Sequence, residues 1–556
     1  MAPPSLRLLN PMTAVKAIWR ICYIFVQYFV IALYKPPAPK TDGPLKSPSG
    51  RIAVIGAGLT GVSSAAHCIA HNFEVTLFEA GPRSSLGGIW SHVNSTSGLQ
   101  LNSHLYRFHP AVLWRNAFPS RDEILGEVRR IWHEYKLESR TRFETRVTSV
   151  RRADAKSSLG HRQWIINDDS ETLYDAVIAT VGTCGKPKWI HIDGMPKSDK
   201  GSGSDSGHGN DAQENGVFTK PIIHSSELDS ESISEETIKG KRVVVIGSGA
   251  SGVEAVETAL QRGAGETVIL ARTDKVMDHP SQHFLRYVCR MPTFWPGDAI
   301  EAYETSFLWE RFLKFTHYRG VKELIPWKTG LFEGTPIVND AFMKHVRDGS
   351  CKYVRGDTIK LTPSGVHATV RGRESKPGDD GKEEIIDADV IVLATGFEKP
   401  SIDFLDNSLF PDGYERPNLY LQNFSTEDWS VLMTNSSYMN AIGTVGHFHI
   451  GIYTRILLTF LMDEGSRPEI QDMKLWVDVV RFLKRGAKGG ALGFFTYAEL
   501  TIWLLLFHLL RLDRLRWLFF IMCGWGVYLK DGQRENAVEK VVETAHVSKI
   551  RKETDH

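Results

Sequence analysis

Short apolar runs separated by helical stretches form the pattern of the central part of this chain. Residues 52–55 are an apolar run typical of a buried parallel strand, and an Ala/Ser-rich helical stretch and a second apolar run at residues 75–78 follow it. The same order of run, helix and run recurs at residues 243–246 and 267–270. Because strands that alternate with helices are typical of parallel sheets, we predict an α/β fold built from two such units.

Three glycines follow the first apolar run at the spacing GxGxxG. Gly56 permits a tight strand-to-helix turn, Gly58 lets backbone N–H groups approach a pyrophosphate, and Gly61 lets the helix pack closely on the strand. Glu79 follows the second run, where its carboxylate can accept hydrogen bonds from a ribose hydroxyl. The combination predicts a Rossmann-like dinucleotide-binding domain, and a glycine-rich turn in another α/β domain is the alternative.

The second unit repeats this glycine spacing but ends in a cation. Gly247, Gly249 and Gly252 follow the apolar run, and the next strand runs into Arg272 rather than into an acid. A guanidinium at this position favours a 2′-phosphate over a bare hydroxyl, so we expect NADPH rather than NADH. The alternative for Arg272 is an ordinary exposed arginine at the end of a strand. Two such units in one chain imply two bound nucleotides.

A second glycine pair lies shortly after the first unit. Gly87 and Gly88 allow another close approach of the backbone to the same ligand. Trp90 could cover a ring of that ligand, and core packing is its alternative role. We therefore include all three residues among the candidates for cofactor binding.

Two further apolar stretches end in small residues. Residues 174–182 are typical of a buried strand whose small end is suited to lying beside a bound cofactor, and residues 388–397 mirror them. Thr395 and Gly396, at the end of the second stretch, are therefore candidate cofactor-binding residues.

A helix start is encoded between these units. Ser120 and Glu123 have the spacing of a capping box, and residues 124–132 carry apolar side chains at helical intervals. We predict a helix that begins here and ends at about Tyr135.

Both ends of the chain carry apolar helical segments. Residues 12–34 have nearly the length of about 20 residues that spans a bilayer, so we predict a membrane anchor or an interfacial helix there. Residues 489–529 predict an apolar hairpin, and Glu499 favours its insertion into one leaflet or at the interface. A cleaved signal peptide at the N-terminus and helices packed on the globular body are the alternatives. We expect a membrane-associated protein of the endoplasmic reticulum, or a cytoplasmic one if these segments pack on the body.

Charge and composition exclude several classes of protein. A net charge of +1 over 556 residues gives no electrostatic footprint for nucleic acid. The 6 cysteines are scattered without paired spacing, which argues against a disulfide framework and against a zinc site. His447 and His449 are two apart and do not share a helix face, so we expect no metal site. Residues 197–216 are rich in Gly, Ser and Asp, and this composition predicts a flexible insertion that carries no catalytic residues.

These motifs together resemble those of flavin-containing monooxygenases, which are class B flavoprotein monooxygenases. The resemblance covers residues 51–468 and rests on both glycine fingerprints, Glu79, Gly87-Gly88-x-Trp90 and Ala394-Thr395-Gly396-Phe397. It implies that the first fingerprint binds FAD and the second binds NADPH. It also implies that Asn102 is a catalytic residue close to the flavin and the nicotinamide, where it helps to hold the oxygenated flavin.

The resemblance and the composition together predict the order of domains, with the NADPH domain inserted into the FAD domain. The predicted segments are the anchor or interfacial helix (12–34), the FAD domain in two parts (50–196 and 387–488), the flexible insertion (197–216), the NADPH domain (217–386), the apolar hairpin (489–529) and a polar tail (530–556).

One family motif is altered. The pattern FxGxxxHxxx(Y/F) is kept at Phe218 and His224, but Lys220 replaces its glycine and Leu228 replaces its final aromatic residue. The related Baeyer–Villiger motif has tryptophan at that last position, which is also absent here. The resemblance therefore indicates a divergent subclass, in which we expect His224 to be structural or to contact a neighbouring domain.

The implied activity is an NADPH- and O2-dependent monooxygenation. By the resemblance, reduced FAD forms a C4a-(hydro)peroxyflavin that oxygenates a small, lipophilic nitrogen or sulfur compound. The expected partners are this substrate and O2, a membrane surface and a second copy of the chain, without nucleic acid. The alternatives are a Baeyer–Villiger ketone monooxygenase and a nucleotide-binding membrane flavoprotein without oxygenase activity. A pyridine-nucleotide disulfide reductase would need a redox cysteine pair, and no C-x-x-C or C-x4-C occurs.

Overall fold

Two mostly parallel β-sheets organise the chain in the computed structural model. The structure describes residues 11–99, 103, 106–156, 160–196, 217–273, 277–278, 319–321, 324, 337–338, 340–373, 375–436, 449–485 and 490–530. The predicted flexible insertion and Asn102 lie outside these residues, as does the predicted polar tail beyond its first residue.

The first sheet is the one that follows the first glycine motif. Its strands are β1 (Arg51–Ile55), β2 (Glu74–Phe78), β3 (Thr141–Arg142), β7 (Ala176–Ala179) and β17 (Val431–Leu432). They pair in the order β17-β7-β1-β2-β3, and every pairing is parallel. Because β17 comes from a distant part of the chain, this sheet is closed by residues on both sides of the second unit.

Helix α2 (Leu59–Ala70) connects β1 to β2 and is buried at every position. It lies between the first sheet and helix α8 (Ile450–Met462), which is also almost wholly buried. Small side chains along α2, such as Ser64 and Ala65, let both neighbours approach it closely. The first glycine turn is therefore anchored in the centre of the largest apolar core.

The second sheet contains seven strands. They are β8 (Ile222–His224), β9 (Arg242–Ile246), β10 (Glu266–Ala271), β13 (Cys351–Thr362), β14 (Gly365–Val370), β15 (Lys382–Asp387) and β16 (Val390–Leu393). The order is β15-β14-β13-β10-β9-β16-β8, with β14 and β15 antiparallel and the other pairings parallel. Helix α6 (Ala250–Gln261) connects β9 to β10, as α2 connects β1 to β2. The predicted α/β fold with two Rossmann-like units is confirmed.

The remaining described elements are smaller or peripheral. An antiparallel three-stranded sheet consists of β4 (Val150–Lys156), β5 (Arg162–Ile166) and β6 (Asp169–Tyr174). A separate parallel pair consists of β11 (Met277–Asp278) and β12 (Ile337–Val338). The other helices are α1 (Pro11–Tyr34), α3 (Ile89–His92), α4 (Arg121–Glu134), α5 (Glu235–Ile238), α7 (Asp340–Asp348), α9 (Ile470–Leu483), α10 (Gly490–Leu509) and α11 (Leu518–Cys523). The predicted helix start is confirmed, because the Ser120 side chain accepts a hydrogen bond from the Glu123 N–H at the start of α4. The Glu123 carboxylate accepts from the N–H groups of Arg115 and Asn116, so the second bond of the capping box is replaced.

One predicted boundary is corrected by the sheet topology. Residues from 387 onward were expected to return to the first domain. Strand β16 instead pairs with β8 and β9 inside the second sheet. A buried strand with a small-residue end fits either parallel sheet equally well, so the sequence did not distinguish them.

The N-terminal helix packs on the globular body through polar side chains. Gln27, which is 2% exposed, bonds to both backbone groups of Trp114, and the Tyr23 hydroxyl contacts Ser103. At the end of α1, the Leu33 carbonyl accepts a hydrogen bond from the indole of Trp525. These bonds hold α1 against the first domain.

The C-terminal helices are also attached to the body. Glu499 on α10 is buried, and it accepts hydrogen bonds from Gln422, Trp476 and Lys484 at 2.5, 3.1 and 3.2 Å. A buried carboxylate is stable only with such partners. In the sequence, Glu499 was the reason to expect a hairpin inserted into one leaflet. In the structure its carboxylate is hydrogen-bonded by other side chains of the protein.

The prediction of a membrane-spanning anchor is wrong. Among the described residues, no helix has the combination of length and apolar character that crossing a membrane requires. The expectation of a protein associated with the endoplasmic reticulum membrane is contradicted by this result. The sequence pattern of residues 12–34 and 489–529 was misleading because buried polar groups, such as Gln27 and Glu499, are satisfied by contacts that only the fold creates.

Candidate functional site

The first glycine turn lies at the carboxyl end of β1, where α2 begins. Gly56 has φ +102°, which favours glycine, and a Cβ there would lie 2.8 Å from the Thr180 carbonyl oxygen. A Cβ at Gly61 would overlap the carbonyl oxygen of Gly56. Both positions therefore require glycine for the tight turn, while Gly58 is the N-cap of α2.

The second glycine pair packs directly on this turn. The Gly87 N–H donates to the Ala57 carbonyl at 3.0 Å, and Gly58 and Gly87 form a parallel β-bridge. A Cβ on Gly88 would lie 3.0 Å from the Gly58 Cα. The structure thus brings two glycine motifs that are separate in sequence, at Gly58 and Gly87, into one backbone surface.

Glu79 lies at the rim of the same turn. Its carboxylate accepts hydrogen bonds from the N–H groups of Ala57 and Gly81 at 2.8 and 2.9 Å. A carboxylate has about four lone-pair sites, so these bonds orient the group and leave capacity for hydroxyl donors. Its place just after β2, beside the glycine turn, is that of a ribose-binding acid.

Trp90 is half-buried beside the glycine pair, on the short helix α3. Its indole N–H donates to the Tyr106 hydroxyl at 3.0 Å, and the two rings meet edge to face at 6.4 Å. Arg121 donates to the Trp90 carbonyl at 3.1 Å. The ring is therefore held in one orientation next to the first turn.

The second glycine turn has the same construction. Gly247 has φ +113°, and a Cβ there would lie 2.5 Å from the Ala394 carbonyl oxygen. A Cβ at Gly252 would overlap the carbonyl oxygen of Gly247, whereas one at Gly249 would meet no described atom within 4 Å. The N-terminus of α6 therefore opens onto free space that a phosphate group could fill.

Arg272 follows β10 immediately beside this turn. The Ser248 hydroxyl donates to the Thr273 carbonyl at 3.0 Å, which ties the turn to the end of β10. The Arg272 side chain is 77% exposed, and its Nε lies 3.4 Å from Asp357. The guanidinium thus stays accessible at the position where a 2′-phosphate would lie.

Thr395 and Gly396 follow β16 and contact the segment between the two domains. The Thr395 hydroxyl donates to the Lys188 carbonyl, and the Gly396 carbonyl accepts a bond from the Lys188 N–H at 2.9 Å. The His224 ring bonds to the same Gly396 carbonyl at 3.0 Å and is fully buried. Burial lowers the pKa of His224, so its neutral ring holds this strand end in place.

The two glycine turns belong to domains that are joined by a polar loop. Residues 94–97 follow Trp90 and bond to the second domain at distances of 2.6 to 2.9 Å. The pairs are Asn94 with Ser225, Ser95 with Asp229, Thr96 with Thr258 and Ser97 with Glu254. The loop that carries the first site thus also fixes α6 of the second.

The altered family motif forms part of the second sheet. Phe218 and Leu228 are both fully buried. Lys220, at the position of the family glycine, donates to the Asp389 carboxylate at 2.9 Å, and Arg242 donates to the same carboxylate. These two cations hold the pKa of Asp389 far below its usual range. Lys220 therefore supports β16 rather than facing either glycine turn.

Three residues that support the first turn through hydrogen bonds were missed by sequence reasoning. The Thr180 hydroxyl donates to the carbonyls of Ile55 and Gly56 at 2.8 and 2.9 Å. Asn435 donates to the Thr60 hydroxyl at 3.0 Å, and Ser436 donates to the Ala179 carbonyl at 2.9 Å. Thr180 could have been found, since its Ala-Thr sequence matches that at Thr395. The other two follow β17 and carry no local signal.

The residues present fit a dinucleotide at each turn. Gly249, Gly182 and Gly396 each adjoin open space, since an added Cβ would meet no described atom within 4 Å. Each turn also leads into a helix of 12 residues whose first N–H groups and dipole favour an anion. Asn102 lies outside the described residues, so the structure does not place it.

Comparison with known proteins agrees with this geometry. A family model described as pyridine nucleotide-disulphide oxidoreductase matches residues 50–290. Flavin-containing monooxygenase 3 of Oryctolagus cuniculus is 26% identical over 66% of this chain and 66% of its own length. The chain is thus similar in sequence to flavin-containing monooxygenases.

Other monooxygenases are similar to this chain over shorter spans. An uncharacterized monooxygenase of Sinorhizobium fredii is 25% identical over 64% of this chain, and a Baeyer-Villiger monooxygenase of Pseudomonas aeruginosa is 25% identical over 50% of it. The chain spans 54% and 48% of the lengths of these two relatives.

A solved structure shares the fold of this chain. The crystal structure of OTEMO in complex with FAD and NADP aligns with a TM-score of 0.53 and 20% identity, and the alignment covers 79% of this chain and 92% of that structure's chain.

The described cysteines are all free, at positions 22, 68, 184, 351 and 523, so they supply no redox disulfide. A disulfide reductase site therefore finds no support among the described residues.

Proposed function

We propose that this chain is an FAD- and NADPH-dependent monooxygenase that transfers one oxygen atom from O2 to a small organic substrate. One observation carries the proposal: two dinucleotide-type turns lie at the carboxyl ends of parallel strands in two sheets, and the exposed Arg272 lies beside the second turn. The named relatives are monooxygenases, and a solved neighbour is described as a complex with FAD and NADP, which supports the same pair of cofactors here.

FAD is assigned to the first turn. The N-terminus of α2 at Gly58 would receive the pyrophosphate, and the bridge to Gly87 widens this surface of backbone N–H groups. Glu79, oriented by Ala57 and Gly81, would accept from ribose hydroxyls. Trp90 is fixed close enough to line the same site.

NADPH is assigned to the second turn. Gly249 leaves open space at the N-terminus of α6 for the pyrophosphate, and Arg272 would bind the 2′-phosphate. Asp357, near Arg272, keeps the guanidinium close to the turn when no phosphate competes for it. This arrangement favours NADPH over NADH.

Bound FAD and NADPH would supply the hydride transfer and the activation of O2, for which protein side chains have no equivalent. The balanced reaction is substrate + O2 + NADPH + H⁺ → oxygenated substrate + NADP⁺ + H2O. The part of this chain is to bind both nucleotides, fix their relative position and limit access of water. The bonds from residues 94–97 to the second domain would fix the relative position of the two nucleotides.

We propose a lipophilic nitrogen or sulfur compound as the substrate, and Asn102 as the residue that assists at the reacting end of the flavin. The similarity to dimethylaniline monooxygenase [N-oxide-forming] 4 of Mus musculus, which is 24% identical over 69% of this chain, supports a nitrogen compound. The similarity to a named Baeyer-Villiger monooxygenase supports a ketone as the second candidate. The altered motif, with Lys220 and Leu228, matches neither class fully.

The test uses the purified full-length chain with FAD. Flavin content is measured by absorbance, and oxidation of NADPH and NADH is measured with and without dimethylaniline, methyl phenyl sulfide and cyclohexanone. Heavy-oxygen-labelled O2 identifies the product by mass, and released H2O2 is measured in parallel. We expect NADPH to be preferred, and one labelled oxygen atom in the amine or sulfide product. Gly56→Val, which cannot form the first turn, is the flavin-free control.

Each result distinguishes one alternative. A labelled ester or lactone from the ketone alone would favour the Baeyer–Villiger class. A yellow protein that converts NADPH only into H2O2 with every probe and in a lipophilic compound screen would mean that the oxygenase activity is absent. A colourless protein that takes up no FAD would refute the proposed function.

A further inference from the structure

The N-terminal helix reaches the candidate flavin site through an unbroken chain of contacts. Gln27 lies on the buried side of α1 and uses both ends of its amide. Its Nε2 donates to the Trp114 carbonyl at 2.9 Å, and its Oε1 accepts from the Trp114 N–H at 2.8 Å. Arg107 also donates to that oxygen at 2.9 Å. One side chain of α1 therefore fixes both the backbone and a guanidinium of the first domain.

From Trp114 the contacts continue to the flavin loop. The Trp114 indole donates to the Tyr106 carbonyl at 2.9 Å, and the Tyr106 hydroxyl accepts the indole N–H of Trp90 at 3.0 Å. Trp114 and Tyr106 are both buried, with the rings 6.3 Å apart. Trp90 follows the glycine pair that bridges to Gly58. The order of contacts is thus α1, Trp114, Tyr106 and Trp90.

A second side chain of α1 holds the same region. Tyr23 precedes Gln27 by one helical turn, so both lie on one face. Its hydroxyl lies 2.5 Å from Ser103 Oγ, which itself donates to the Asn116 carbonyl at 3.0 Å. Since the serine proton is used there, Tyr23 is the donor to Ser103.

We infer that Gln27 is a positioning residue of the flavin site, which it serves by holding Trp114 and Tyr106 and through them the orientation of Trp90. The inference rests on the proposed function. The hydrogen bonds of Gln27 go to Trp114 and Arg107, and none of them goes to the first glycine turn or to Glu79. Its replacement should therefore loosen Trp90 without removing any group that contacts the nucleotide.

The inference predicts that two quantities change together. The binding constant of FAD should weaken because Trp90 is no longer held against the loop. The release of H2O2 in the absence of substrate should rise, because a loosened site admits water, and each NADPH then yields one H2O2 (NADPH + H⁺ + O2 → NADP⁺ + H2O2). A purely structural role of Gln27 would lower only the melting temperature.

The experiment compares Gln27→Leu with the wild-type full-length protein. The apoprotein is titrated with FAD by flavin fluorescence, and NADPH oxidation and H2O2 release are measured on the reconstituted enzyme. We expect the Kd for FAD and the H2O2 release rate each to rise by about 3- to 10-fold, the factor expected for loss of about one net hydrogen bond. Gln261→Leu, at the exposed end of α6, is the matched control and should leave both values unchanged.

A second variant and a double variant make the test independent of the folding of Gln27→Leu. Tyr106→Phe keeps the ring but removes the acceptor of the Trp90 indole, so it should produce the same two changes. In the Trp90→Phe background, Gln27→Leu should add less than twofold, because the two residues act through one path.

The outcomes separate this inference from the function on which it rests. If the wild type binds FAD and oxidises NADPH, but Gln27→Leu and Tyr106→Phe do so with unchanged Kd and H2O2 release, the positioning role is wrong and the proposed function stands. Full additivity with Trp90→Phe also overturns it. A wild-type protein that binds no FAD overturns both.

Discussion

The hydroxyl of Thr180 lies 2.9 Å from the carbonyl oxygen of Gly56, and so the end of β7 holds the first glycine turn from beneath. The same hydroxyl is 2.8 Å from the Ile55 carbonyl, and a Cβ on Gly61 would overlap the Gly56 carbonyl oxygen and lie 2.8 Å from this hydroxyl. The turn is therefore fixed by the Thr180 hydroxyl and by the close approach of Gly61. Its geometry depends on residues that are far away in the chain.

Removal of this hydroxyl should weaken flavin binding. Thr180→Val removes the hydroxyl that donates to the Gly56 carbonyl, while the Ile55 carbonyl keeps the Thr180 N–H as a donor, and it should cost about 1–2 kcal/mol of stability. We expect flavin content at low FAD concentration to fall several-fold, measured by absorbance per protein. Thr267→Val is the control. Its hydroxyl donates to the Ser350 carbonyl at 2.9 Å, and this bond involves neither glycine turn. Equal flavin losses in both variants would contradict the role of Thr180.

A methyl group at the third glycine should disrupt the first site. Gly61→Ala places a Cβ on the Gly56 carbonyl, so helix and strand must separate and we expect loss of retained FAD. Gly126→Ala is the matched control, since a Cβ there, on the exposed face of α4, meets no atom within 4 Å. That control should raise stability by about 0.5–1 kcal/mol. Retention of FAD by Gly61→Ala, with an unchanged melting temperature, would contradict the proposal that FAD binds at the first glycine turn.

Loss of the exposed guanidinium should change the choice of nicotinamide nucleotide. Arg272→Ala removes the charge-assisted bonds to a 2′-phosphate, each typically about 1.5–3 kcal/mol, so KM for NADPH should rise at least about tenfold. KM for NADH should change little, because NADH lacks that phosphate. Steady-state kinetics with both nucleotides measure this, with Arg129→Ala on the surface of α4 as the control. Equal losses for both nucleotides would remove the phosphate role.

Stability should fall in mildly acidic solution because of three buried histidines. His67, His71 and His109 are all buried, and the rings of His67 and His109 are 4.7 Å apart. Burial lowers the pKa of His71 to about 3 and lowers those of the other two well below the usual value, an effect that nearby Arg455 strengthens. The folded pKa values thus lie below that of about 6.5 in the unfolded chain.

The sign follows from proton binding. Below pH of about 6.5 the unfolded chain takes up protons that the folded chain does not, so the free energy of unfolding decreases as the pH falls. Three such groups give a slope of up to roughly 4 kcal/mol per pH unit. Urea unfolding between neutral and mildly acidic pH measures this, and His67→Leu should reduce the slope by about a third of that value. An unchanged slope in His67→Leu, matching that of the exposed control His191→Ala, would contradict the assignment.

Local features of the sequence predicted the parts of the fold that are encoded by neighbouring residues. Ser120 and Glu123 marked the start of α4 because a capping box involves groups only three residues apart. The glycine turns were predicted because strand, turn and helix are consecutive. The assignment of each glycine and of Arg272 to a particular nucleotide stays a prediction.

Contacts between distant residues were not predictable in this way. Gln27 and Glu499 are polar residues in apolar segments, and the sequence gives no sign that Trp114 and Lys484 lie beside them. The membrane interpretation was wrong because composition measures how apolar a segment is, but not which protein surface covers it. Likewise, the sheet that β16 joins depends on its neighbours β8 and β9, which lie far away in the chain.

The sequence by itself determined that two strand–glycine–helix units exist, because each is specified by side-chain size and backbone freedom over about 30 residues. Only the tertiary structure decided what surrounds those units: Thr180 beneath the first turn, residues 94–97 between the domains, and α1 held against Trp114. The physical reason is that a hydrogen bond needs its partners within about 3 Å, and the distance between residues in space is set by the folded chain rather than by their separation in sequence.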